Sequence, residues 1–252
     1  INNLGLEKLN LTGNPINQQI LTSITSMVSL NELNLTNTQM NGDQLDNFSN
    51  LKNLKTLILA NNNISKLDEI TPLINLNKLD VSGNKSFTNF SQITTLTELR
   101  ELNVSGTGIM EFTNITSLGK LEKLYSSDNS NMTNYDSLDL LFEVYQDEET
   151  KEKIPYLKNL KVLNLNSVGI TNKKPNIRIS DFSIFTSLEE LHLASDEISS
   201  LTGLAKMYSL KYIDLADNEI DSDELDNFIQ KSGDEILTEN TLMANKIDLS
   251  GN

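Results

Sequence analysis

Between Leu54 and Ile64 the chain reads Leu-x-x-Leu-x-Leu-x-x-Asn-x-Ile, and this spacing of apolar positions returns from Leu6 to the last residue. Copies open at Leu6, Leu30, Leu54, Leu76, Leu99, Leu121, Leu160, Leu188 and Leu210. The last is read as Ile247-Asp248-Leu249-Ser250-Gly251-Asn252, with a competing register on Leu242, Asn245 and Ile247. Within each copy the Leu-x-Leu core alternates with period two, which predicts a short strand with its leucines inward and the intervening residue outward. The pattern then changes period. Ile64, Leu67, Ile70, Leu73 and Leu76 recur every third residue, as do Phe87, Phe90, Ile93 and Leu96. A strict period of three predicts a 3₁₀ or extended return rather than a long α-helix. The segments after Ile16 and Ile220 are longer and predict helix, and Asp43–Phe48 and Asp223–Phe228 are near copies of one helical turn.

Successive openings are separated by 24, 24, 22, 23, 22, 39, 28, 22 and about 34 residues. The 39-residue interval carries an insertion at about 135–157, where Leu138, Leu141, Phe142 and Tyr145 have helical spacing and precede the charged run Asp147–Lys153. That run is expected to loop out, projecting from the convex side or an edge. A smaller basic insertion, Asn172–Ile177, reads as a loop.

These copies resemble the leucine-rich repeat consensus, and the 22-residue form resembles the repeats of bacterial internalins and of a eukaryotic phosphatase-regulator family. The resemblance implies an α/β fold: one solenoid of about ten coils over 1–252, with a parallel sheet on the concave face. Its convex returns would be mostly 3₁₀ or irregular, with a few helices. In such repeats the Asn side chain bonds backbone groups left unpaired where the strand turns away. The matching positions are Asn14, Asn62, Asn84, Asn129, Asn218 and Asn252; Thr38, Thr107, Val168 and Asp196 depart. Val168 has no polar group, so the ladder is expected to break there. Neither end shows the helical cap or immunoglobulin-like module that flanks internalin repeats. The chain therefore reads as a piece of a longer protein, or a mature form without strong caps.

Composition narrows the chemistry. The chain has no Cys, which excludes disulfides, cysteine zinc sites and thiol nucleophiles, and argues against animal extracellular repeat proteins with Cys-stapled caps. A net charge of −15 disfavours nucleic acid and anionic membrane surfaces as partners. No run of 18 apolar residues occurs, so no helical segment is expected to span a bilayer.

Outward strand positions form a middle column from Asn10 to Asp248 and a flanking column from Lys8 to Tyr212. Tyr125, Val162, His192 and Tyr212 stand out as larger groups and are the candidate protein-binding residues, with Asp214 expected within hydrogen-bond reach of His192. Catalysis finds no support, since the single His has no nucleophile in the adjoining column and no oxyanion-forming turn. Asp217-x-Glu219-x-Asp221 hints at a calcium loop but lacks the required Gly and Glu, so it reads as an acidic helix start. No cofactor or metal site is expected. Triplets such as Asn10-Leu-Thr12, Asn34-Leu-Thr36 and Asn103-Val-Ser105 match glycosylation acceptors but fall inside strands.

The resemblance implies non-catalytic protein recognition by a bacterial cell-surface or secreted protein. Two alternatives stay open: an intracellular adaptor or regulatory subunit of the phosphatase-regulator type, and a support for a catalytic domain elsewhere in the protein. Partner identity and oligomeric state are not legible.

Overall fold

The computed structural model describes residues 5–41, 44–132, 138–170, 177–235 and 246–252, the side chains of 230–235 excepted. Ten three-residue strands form one parallel sheet. They are β1 (Lys8–Asn10), β2 (Glu32–Asn34), β3 (Thr56–Ile58), β4 (Lys78–Asp80), β5 (Glu101–Asn103), β6 (Lys123–Tyr125), β9 (Val162–Asn164), β10 (Glu190–His192), β11 (Tyr212–Asp214) and β12 (Lys246–Asp248), in that spatial order. Each Leu pairs with the Leu at the same place one coil on, as Leu33 with Leu57 and Leu57 with Leu79. At β12 it is Ile247 that lies opposite Ile213, which selects the register ending in Asn252 over its competitor.

The inward leucines and the period-three residues form a continuous core. Ile64, Leu67, Ile70 and Leu76 are all fully buried, and Phe90 meets Phe112 of the next coil edge-on at 5.4 Å. The returns are 3₁₀ turns, among them Asp68–Ile70, Phe90–Ile93, Ile115–Ser117 and Ile179–Ile184. A 3₁₀ turn brings positions i and i+3 onto one face, so a period of three buries one side chain per turn. Among the described residues, two coils carry α-helix instead. The helix α1 (Gln18–Thr25) buries Leu21 and Ile24, and its first turn is capped by Asn17, whose Oδ1 accepts from the Ile20 amide at 2.9 Å. The helix α2 (Ser222–Glu235) is capped by Asp221, which accepts from the Glu224 amide at 2.8 Å. The acidic run before α2 is therefore a helix start.

The two near-copy hexapeptides fold differently. Asp223–Phe228 lies in α2, whereas the other copy gives a 3₁₀ turn at Phe48–Asn50 with Leu45 and Phe48 buried; Asp43 is outside the described residues. Coil length does not separate them, since α1 also fits a coil of 24 residues; the left-handed Asn47 (φ 66°) interrupts helical backbone just before Phe48.

The insertion corrects the helical expectation. Asp139–Phe142 makes a single 3₁₀ turn, and Tyr145 then lies in β7 (Val144–Gln146), antiparallel to β8 (Lys153–Pro155). Leu138 and Leu141 enter the core, and Phe142 packs on Phe182 at 5.1 Å. One 3₁₀ turn satisfies those three residues. Beyond it the β-branched Val144 and Ile154 favour a hairpin. The charged run forms its tip, closed by Asp147, whose Oδ1 accepts from the amides of Thr150 (2.8 Å) and Glu149 (3.1 Å). These bonds hold the Asp147 carboxyl below its usual range. Positions 133–137 of the insertion and 171–176 of the smaller loop lie outside the described residues.

Candidate binding face

At each of the ten strand exits the chain turns through a left-handed residue placed just before the ladder position. Gly13, Asn37, Asn61, Gly83, Gly106, Asp128, Ser167, Ser195, Asp217 and Gly251 all have φ between 54° and 80°. The next residue then reaches back across the coil. Asn62 donates to the carbonyls of Leu35 (2.8 Å) and Leu59 (2.9 Å), while its Oδ1 accepts from the amides of Thr38 (2.9 Å) and Met40 (3.1 Å). Asn84, Asn129, Asn218 and Asn252 repeat this link to the preceding coil. Asn14 bonds within its own turn, donating to the carbonyls of Leu11 and Thr12. Thr38 and Thr107 supply part of the pattern, their hydroxyls donating at 2.8 Å to Leu35 and Val104. Val168 fills its place as a buried apolar group.

A second set of bonds, unforeseen from the sequence, occupies the concave face. Asn10, Asn34 and Asp80 fold back so that one carboxamide or carboxylate oxygen accepts from the amide two residues on, at 2.9–3.0 Å. Asn103, Asn164, Asp214 and Asp248 do the same. The Asn-x-Thr and Asn-x-Ser triplets are thus Asx turns that end the strands. Most of the middle column is therefore committed to the backbone.

Three strands depart: Ile58, Tyr125 and His192 stand in this column and cannot make the bond. In two of them a neighbouring coil supplies it. The Ala194 amide donates to Asn166 Oδ1 at 2.8 Å, and the Ser127 amide to Ser105 Oγ at 3.2 Å. Tyr125 and His192 are thereby released from strand-end duty. Ile58, half-buried on β3, shares that departure and was not singled out by its sequence context.

Around these two residues the sheet brings several groups together. The His192 ring meets Tyr212 at 5.1 Å, and Lys246 Nζ lies 5.1 Å from the Tyr212 ring. His192 sits between two carboxylates, with Nε2 3.8 Å from Glu190 and Nδ1 3.8 Å from Asp214. That is ion-pair range but beyond a hydrogen bond; the other Asp214 oxygen, Oδ1, accepts from the Ala216 amide. Desolvation, reinforced by Glu101 and Glu190, raises the Tyr125 phenol above its ordinary value; desolvation and then Asp214 raise that of Tyr212. Both tyrosines are neutral at physiological pH and present ring and hydroxyl to solvent. Val162 differs from the expectation of an exposed contact: at 7% exposure it is floor between Lys123 and Glu190. Among the described residues no group of three His, Cys, Asp or Glu is placed to hold a metal ion.

Fold and bonded turns together define a leucine-rich repeat solenoid. Family models agree over part of the chain: a single leucine-rich repeat matches residues 5–27, and a two-copy repeat matches 52–97. Among solved structures, an internalin from Listeria monocytogenes aligns with TM-score 0.65 and 21% identity, over 93% of this chain and 56% of that one. A leucine-rich repeat protein of Leptospira interrogans aligns at 0.66 and 22%, over 97% and 55%. The ectodomain of a plant membrane receptor kinase from Arabidopsis thaliana, in complex with Casparian strip integrity factor 2, aligns at 0.59 and 18%, over 85% and 25%. No curated protein matches by sequence. In its repeats and fold this is an internalin-like leucine-rich repeat protein, and it spans about half the length of the first two structures.

Proposed function

We propose that the chain is a non-catalytic recognition module of a bacterial surface or secreted protein, and that its protein partner docks on the concave face across β6 to β11. One observation carries this reading. Where seven strands spend the middle column on Asx turns, the coils of Tyr125 and His192 take that bond from a neighbour and present a large ring instead. Tyr212, Glu190 and Asp214 extend the patch, with Val162 beneath it. Rings held by a rigid sheet lose little conformational entropy on binding, and aromatic groups of this kind dominate interface energetics. The internalin-like fold supports a bacterial surface or secreted setting, and the absence of Cys argues against animal extracellular repeat proteins with Cys-stapled caps. The plant ectodomain's complex supports use of such an array for protein or peptide recognition. No described helix is long and apolar enough to cross a membrane.

The test is affinity capture from the native source by wild type and by Tyr125→Ala/Tyr212→Ala, both confirmed folded by circular dichroism. Loss of the two rings is expected to weaken the captured partner's binding at least tenfold, since hot-spot truncations each cost about 1–2 kcal/mol or more. Full affinity in the double variant would move the partner off this face. Labelling of intact against permeabilised cells decides the setting.

A further inference from the structure

Asp196 occupies a ladder position that six other coils fill with Asn, and it is 6% exposed. Its Oδ1 behaves as the Asn oxygen does, accepting from the amides of Gly169 at 2.9 Å and Ile170 at 3.0 Å. Its Oδ2 is buried with no hydrogen-bond partner, alone in this among the described side chains. In the ladder pattern that second atom is the Nδ2 which Asn84 aims at the carbonyls of Leu59 and Val81. The equivalent carbonyls here are those of Leu165 and Leu193. A charged carboxylate would turn a lone pair toward two oxygens and leave a buried anion unpaired, which is costly. A protonated carboxyl has a hydroxyl at that spot and donates as the amide would.

We propose that Asp196 is an acid-strengthened joint: protonated, it completes the ladder between the β9 and β10 coils, and ionised, it loosens that seam. The environment is consistent. The preceding coil presents only Leu165, Asn166, Ser167, Val168, Gly169 and Ile170 there, none of them titratable. Lys173 and Lys174 follow in sequence, outside the described residues. Glu197 lies beside Asp196, Asn218 is its ladder neighbour on the following coil, and Asp217 and Glu219 flank that residue exposed to solvent. Burial pushes the carboxyl up from 3.8 to about 7, against the lowering effect of the Ile170, Gly169 and Val168 amides. A folded value above the unfolded one means the contribution to stability is complete below about pH 4. It declines as pH rises and is gone above about 7.

The experiment compares urea unfolding of wild type and D196N between pH 4.5 and 8.5; the variant carries the permanent amide, and other carboxylates cancel between the two. Wild type should lose ground as pH rises, its unfolding constant increasing about a hundredfold or more relative to D196N. A gap that stays constant with pH overturns the proposal. Independently of the variant, the ¹³C shift of the Asp196 carboxyl in folded wild type should titrate near neutrality, and titration in the ordinary carboxylate range overturns it equally.

Discussion

Asn62 shows how one side chain ties two coils together. It bonds carbonyls on both and amides of the earlier one, all of them shielded by the core. Replacing it with Ala leaves those groups unpaired, and each buried unpaired group costs about 1–3 kcal/mol, softened where water enters at the turn. Asn62→Ala is therefore expected to lower stability by about 1–3 kcal/mol, read as a drop in the urea midpoint at unchanged slope. Residues like this are legible in the sequence because their period is fixed and their chemistry is singular. The middle-column Asn and Asp are less so. In sequence they look like an exposed polar stripe, and only the distance to the amide two residues on reveals the Asx turn. The paired signal was present all the same, in the Thr or Ser two places after Asn10, Asn34, Asp80, Asn103 and Asp248. Val162 was misjudged for the opposite reason: alternation tells which way a side chain points, and the neighbours' bulk decides whether it is covered.

At the scale of elements, the period of the apolar positions carries most of the information. Period three gave the 3₁₀ returns, whereas coil length does not separate α1 from the non-helical copy at Phe48, where the left-handed Asn47 interrupts the backbone. The hairpin escaped because Leu138, Leu141 and Phe142 need only one turn, and three residues do not distinguish a turn from a helix. The hairpin contributes little to the core. Its tip, Gln146–Lys153, bonds mainly to itself, and only its base, Leu138, Leu141 and Leu157, is fully buried. Shortening that tip to a two-residue turn is expected to change the unfolding free energy by less than about 1 kcal/mol, since loop length enters closure entropy only logarithmically. Thermal melts of the trimmed chain check this, and a fall of many degrees would make the tip structural.

The whole molecule is close to one-dimensional, each coil resting on the two beside it. Leucines of the central strands are fully buried, whereas Leu6, Leu9 and Leu11 near one end and Ile247 and Leu249 near the other are only partly so. Opening free energies in this 252-residue chain should fall from β4–β6 toward both ends. Native-state hydrogen exchange measures that gradient directly, with strand amides of β1 and β12 exchanging first. Uniform protection along the sheet would mean that the coils unfold as one unit.

Charges on the strand edges alternate from coil to coil. Glu122 bridges Arg100 (2.6 Å) and Lys161 (2.8 Å), and the bonds from Lys161 and Arg100 hold its carboxyl below the usual range. Lys211 meets Glu189 at 2.7 Å, and in the neighbouring column Lys78 meets Glu101 at 2.6 Å. Each exposed pair is worth only about 0.2–1 kcal/mol. Their order nevertheless constrains how the gene can change. Loss of the Glu122 coil through recombination between similar repeats would set Arg100 against Lys161, and loss of the Glu101 coil would set Lys78 against Lys123. Excision of the Glu122 and Lys161 coils together would restore Arg100 to an acidic neighbour, Glu189, yet in the neighbouring column it would set Glu101 against Glu190. Each of these deletions therefore brings like charges together in one column or the other, a bias toward keeping the number of coils here that natural length variants would show as length changes falling outside this stretch.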